Sequence, residues 1–118
     1  MNIHHIALKI KNLALCENFY RDVLQLKVLK KNESRSVWFD LSGTILMIEK
    51  TDGPLSKAEK GWHLLALAMQ PDQRDAWKKR LADHGVEIES ESPYSLYFRD
   101  PEQNRLALSH YPKQLGGV

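Results

Sequence analysis

Two histidines stand at the heads of two apolar runs, His5 in "HIALKI" and His63 in "HLLALAM", 58 residues apart in a chain of 118. A neutral imidazole is a good ligand for borderline transition metals and titrates near working pH, so such a residue suits metal binding or acid–base chemistry. The competing explanation is ordinary: a histidine on an apolar strand is often a hydrogen-bonded core residue. The oxygen donors that would complete a metal site are sparse. Glu49 closes the run "TILMIEK", and as a strand-end carboxylate it equally suits solvent. Cys16 falls on the buried side of a helical pattern with no evident base beside it, which favours inert packing over a nucleophilic thiol. No glycine-rich phosphate loop and no serine–histidine–acid arrangement is visible.

The elements that must carry these residues follow from periodicity. Residues 3–10 alternate as a strand, and residues 13–24 place Leu15, Cys16, Phe19, Tyr20, Val23 and Leu24 on one helical stripe, with Asn12 as the capping residue. Three short strands follow at 27–31, 36–41 and 44–50, with Ser42-Gly43 turning the chain between the last two. The pattern then recurs. A strand runs to Met69, and Pro71 opens a helix in which Ala76, Trp77, Arg80 and Leu81 form the covered face and Gly85 ends it. Strands at 86–91, 95–99 and 105–111 complete the second set, with a turn at Asp100-Pro101. Trp62 is expected to pack under the helix. The order βαβββ, linker, βαβββ marks an internal repeat. Its modules span about 1–52 and 61–112, with a linker at 53–60 and a tail at 113–118. The helix of each module covers the more apolar face of its first strand, so each histidine is expected on the other face.

Composition narrows the function classes. With 42% hydrophobic and 27% charged residues and a net charge of +2, the chain suits one compact domain. It lacks the basic stripe that nucleic acid requires. One cysteine excludes an internal disulfide framework. No run reaches membrane length and no leader pattern precedes the first strand, so a soluble, cytoplasmic protein is expected.

The segments "HHIALKI", "ENFYRDVLQLKVL", "GWHLLALAM", "RLADHGVEI" and "SLYFRDPEQNRLALS" resemble the vicinal oxygen chelate superfamily, which includes glyoxalase I, extradiol dioxygenases, fosfomycin-resistance transferases and bleomycin-binding proteins. They cover nearly the whole chain in the family's order. The resemblance implies an α+β fold of two βαβββ modules forming a cup-shaped, partly open mixed-sheet barrel. It also implies a homodimer in many members and a divalent metal (Zn, Ni, Mn or Fe) on the inner strands. The family's ligand positions fall on His5 and His63, with His4 pointing to the other side. Its carboxylate position in the last strand falls on Ala107, and the equivalent position of module one on Met47. Neither replaces a carboxylate: alanine has no donor, and a thioether is too soft for these ions. Glu49 is the tentative third ligand, on the face of Met47. His110 falls on the face opposite Ala107 and reads as a surface residue. The family's turn glycine is replaced by Gln103.

By the same resemblance Ser95 and Tyr97 face the substrate, although Tyr97 equally suits a core position with its hydroxyl at the rim. Arg99 continues their face and suits an anionic group or a surface ion pair. Trp38 would wall the cup, and Ala107 lines it. Three functions follow: a glyoxalase-like small-molecule enzyme with a degenerate metal site stabilising an enolate or oxyanion; a metal-free, drug-sequestering binding protein; or an enzyme using a histidine as base without metal.

Overall fold

In the computed structural model, residues 1–53 and 63–113 are described. Most of the expected linker, Trp62 and the tail beyond Lys113 lie outside them. The chain divides into two compact units, Met1–Ser56 and Lys57–Val118.

The first unit is β1 (His5–Ile10), α1 (Leu13–Asn18), β2 (Val28–Asn32), β3 (Ser36–Asp40) and β4 (Ile45–Lys50). Its four-stranded sheet has the order β1-β4-β3-β2. β1 runs parallel to β4, and the other neighbours are antiparallel. Strand alternation sorts the residues onto two faces. One carries Ile10, Val37, Phe39, Leu46 and Ile48, all essentially inaccessible to solvent. α1 and the turn after it supply Cys16, Phe19, Tyr20, Val23 and Leu24 to the same core, with the Tyr20 and Phe39 rings 5.8 Å apart. The Asn12 side chain accepts the Leu15 amide at 3.1 Å, which satisfies one of the free donors at the helix start. The expected helix over 13–24 differs in one respect: after Asn18 it widens into a π-helical turn, Phe19–Val23. Five of the six stripe residues stay buried through it, and only Leu15, at the start, is half exposed.

The second unit repeats the plan with β5 (Leu64–Ala68), α2 (Arg74–Asp83), β6 (Ser90–Glu91), β7 (Ser95–Arg99) and β8 (Arg105–Ser109). The sheet order is β5-β8-β7-β6, and Met69, Leu81, Leu96, Phe98, Leu106 and Leu108 form its core. A single 3-10 turn, Pro71–Gln73, leads into α2, and the Gln70 amide is held by the Gln73 side chain at 2.8 Å. Three sequence expectations change here. Ala76 is exposed on α2 while Arg74 is buried. The strand expected over 86–91 pairs only at Ser90 and Glu91. His110, expected at the surface, is 3% exposed, because it lies just past β8 on the parity of Leu106 and Leu108, which is the core side.

Candidate functional site

The faces turned away from these cores carry the residues able to meet a ligand. In module one the ladders place them in three rows across β1, β4 and β3: His5, Ile45 and Asp40; Ala7, Met47 and Trp38; Lys9, Glu49 and Ser36. Glu49 is therefore the neighbour of Lys9, not of His5. It stands four residues beyond Ile45, about 13 Å along the strand at a rise of about 3.3 Å per residue. Both side chains rise from the sheet, and one ion with bonds of about 2 Å does not span that interval. The ladder is unbroken between these residues, so the slip that would bring Glu49 to His5 does not occur.

His5 has a different companion. Its Nδ1 lies 2.9 Å from Nδ1 of His4, with ring centroids 5.1 Å apart and planes near perpendicular. Alternation along a strand would send the two rings to opposite faces. His4 escapes that rule because it precedes the first paired residue of β1.

Trp38 occupies the middle row. Its indole Nε1 is buried and finds no hydrogen-bond partner among the described residues. Lys30, its cross-strand neighbour on β2, holds its ammonium 5.4 Å from the centre of the ring, a cation–π contact. The strand register shifts between Val28 and Lys30.

Module two has matching rows on β5, β8 and β7: Leu64, Arg105 and Arg99; Ala66, Ala107 and Tyr97; Ala68, Ser109 and Ser95. Ser36 and Ser95 open equivalent strands 59 residues apart, and Trp38 and Tyr97 share the same position. On that interval the counterpart of His5 is Leu64, the first paired residue of β5, and His63 corresponds to His4. His63 is exposed and lies just outside the ladder. The equivalence of His5 and His63 expected from the sequence is thus off by one residue. The apolar run beginning at Leu64 could be read in either phase.

The other expected contacts fall as follows. The Ser95 and Ser109 hydroxyls are 2.8 Å apart. Tyr97 is partly exposed, whereas Ala107 between it and Ala66 is 1% exposed. The Arg99 guanidinium is committed: Nε donates to Glu89 at 2.6 Å and Nη1 to the Gln103 carbonyl at 3.0 Å. Gln103 itself has φ of 71°, the left-handed region that favours glycine, so the turn retains the backbone that the family's glycine serves.

Two features were not foreseen. One is the pairing of Ser109 with Ser95, which follows from strand register. The other is a buried polar cluster around Arg74, whose Nη2 donates to Glu91 and to the Ser92 carbonyl, both at 2.9 Å. Hydrogen bonds from Arg74 and then Lys78 hold the Glu91 carboxyl below its ordinary range. No motif marks an arginine for burial.

Among the described residues no three His, Cys, Asp or Glu side chains gather as a metal-holding group. The open face of module two carries no carboxylate and no imidazole on its paired strands. Within module one the register separates Glu49 from His5, so these two do not share one ion.

Against known families, the sequence model of the Glyoxalase/Bleomycin resistance protein/Dioxygenase superfamily matches residues 2–108. Metallothiol transferase FosB of Staphylococcus saprophyticus is 25% identical, covering 91% of this chain and 75% of that protein. The FosB of Bacillus licheniformis is 27% identical over 92% and 74% of the two chains. Among solved structures, lactoylglutathione lyase from Agrobacterium tumefaciens superposes with a TM-score of 0.77 at 22% identity, covering 93% of each chain. The E126Q mutant of the fosfomycin resistance protein FosX from Listeria monocytogenes, complexed with Mn(II) and 1S,2S-dihydroxypropylphosphonic acid, superposes with a TM-score of 0.79 at 21% identity, covering 92% and 90%.

Proposed function

The chain belongs to the Glyoxalase/Bleomycin resistance protein/Dioxygenase superfamily, and from that membership we propose that it is an enzyme acting on a small, oxygen-bearing molecule. The enzyme reading rests on that family membership; the observation that points to an oxygen-bearing ligand is the Trp38 indole N–H, buried with no acceptor among the described residues. An unsatisfied buried donor costs about 1–3 kcal/mol, and a substrate oxygen would recover it. The equivalent position of module two holds Tyr97, with the Ser95 and Ser109 hydroxyls in the next row, so donors of the same kind recur. The transferase names of the curated relatives and the phosphonic acid bound to FosX favour a polar, oxygen-rich substrate. Arg99 serves its own turn, and the hydroxyl and indole donors are the primary contacts.

By the family resemblance Met47 and Ala107 stand at the carboxylate positions, and among the described residues no three-donor group stands in for the Mn(II) site of FosX. On the open face of module one His5 shares its row with Asp40, and His5 is the candidate proton carrier. A second reading, metal-free sequestration of an apolar drug-like ligand, is favoured by Met47 and Ala107 themselves.

Thermal-shift and turnover assays on untagged, chelator-treated protein separate the two, using small phosphonates, 2-hydroxy acids and hemithioacetals beside planar apolar drugs. Stabilisation and turnover with a polar compound support the enzyme. Stabilisation by apolar drugs alone, with no turnover of any compound, replaces it with the sequestration reading.

A further inference from the structure

We propose that His4 and His5 together form a two-imidazole site for a transition-metal ion of the Cu(II) or Ni(II) kind, with the two Nδ1 atoms as donors. The site shares His5 with the family's first-strand ligand position and with the proton-carrier role proposed above; its new element is His4, in place of His63, as the second donor.

The Nδ1 atoms are 2.9 Å apart. In the metal-free protein one proton between them suffices: one ring donates and the other accepts. An ion replaces that proton once the two rings turn so that both Nδ1 lone pairs meet beside the N–N line. Metal–nitrogen bonds of about 2.0–2.1 Å across that separation give an N–metal–N angle of about 90°, whereas a tetrahedral angle needs about 3.3 Å between the nitrogens. The narrower angle is the cis angle of square-planar and tetragonal sites, which Cu(II) and Ni(II) favour with nitrogen donors.

The backbone holds the pair in place. The His4 carbonyl accepts the Ile45 amide at 3.2 Å, and the Ile3 carbonyl accepts the Thr44 hydroxyl at 3.0 Å. Residues 3 and 4 are thus fastened to the start of β4, one step before β1 begins. This anchoring explains how adjacent residues turn their rings toward each other. Both histidines are exposed, leaving the remaining coordination positions to water or to a small ligand.

The test is calorimetric titration of untagged, metal-free protein with Cu(II) in a weakly competing glycine buffer, with electron paramagnetic resonance on the loaded sample. The variants are His4→Ala, His5→Ala and His63→Ala; thermal melts verify that each is folded. The expected result is one ion per chain, two-imidazole hyperfine structure, at least a tenfold loss of affinity in His4→Ala and in His5→Ala, and no change in His63→Ala. A loss in His5→Ala and His63→Ala with His4→Ala unaffected would place the ion at the family's position and overturn the proposal. A loss in His4→Ala alone would assign it to His4 with backbone amides, also overturning it. Absence of stoichiometric binding in the parent protein does the same.

Discussion

Nη1 of Arg74 lies 3.0 Å from Nε2 of His110, and both residues are more than nine-tenths buried. A guanidinium only donates, so Nε2 accepts and the histidine carries its proton on Nδ1, where the Lys113 carbonyl receives it. With Glu91 and the carbonyls of Ser92 and Ser95 also bound, one arginine ties the start of α2 to β6, β7 and the segment after β8. Replacing it strands two buried acceptors, His110 Nε2 and the Ser95 carbonyl. Arg74→Met is expected to lose about 3 kcal/mol of stability. Arg74→Lys should recover little, since an ammonium cannot reproduce the planar fork. Urea unfolding of both variants checks this.

Acid should weaken the same cluster through Glu91. Its folded pKa lies below the ordinary value of 4.5, first because Arg74 donates to it and then because Lys78 does. A depressed carboxyl contributes stability that is fully present above its unfolded pKa and is lost as pH falls through the folded one. Glu91→Gln should therefore flatten the dependence of stability on pH below about 4.5 and lower stability at neutral pH. Denaturation midpoints measured from pH 3 to 7 report both effects; an unchanged acid limb would show that Glu91 contributes nothing to it.

The strain at Gln103 predicts a gain. A non-glycine residue in the left-handed region costs about 1–2 kcal/mol, partly offset by the extra unfolded freedom of glycine. Gln103→Gly keeps the carbonyl that Arg99 uses and the amide that the Asp100 carbonyl accepts. The expected outcome is a higher urea midpoint with an unchanged slope.

Trp38→Phe keeps the ring under Lys30 and removes only the indole N–H. A donor that serves structure would be missed in the free protein; one without an acceptor would not. Stability of the free protein is expected to hold or rise by about 1 kcal/mol, while affinity for an oxygen-bearing ligand falls about five- to tenfold. Parallel melting and binding measurements read the two signs.

The repeat itself was legible because each module carries the same succession of periodicities. Asn12 and Ser42-Gly43 were legible because cap and turn residues act locally: the Ser42 amide, for instance, is held by Asp40 two residues back at 2.9 Å. Phase was harder to read. "HLLALAM" is apolar on both parities, so nothing in it marks Leu64 rather than His63 as the first paired residue. That choice is made by β8, some forty residues later, where Leu64 pairs with Arg105. For His110 the parity is right and the face is not: the side opposite Ala107, shared with Leu106 and Leu108, is the core. Glu49 failed as a partner of His5 for a related reason, since sharing a face says nothing of distance along it. The widened turn at Phe19–Val23 and the burial of Arg74 arise from tertiary packing and carry no local signature.

Every ladder between the described strands closes within its own unit, and β1 meets β4 across an interval of 40 residues, from His5 to Ile45. In terms of synthesis, the last residue that β1 needs for pairing is Lys50, so the first sheet has all of its strands before β5 is translated. Loop closure then spans about a third of the chain rather than the whole of it, which lowers the entropic barrier to nucleation. The duplicated plan lets assembly begin at the amino-terminal half while the other half is still being made.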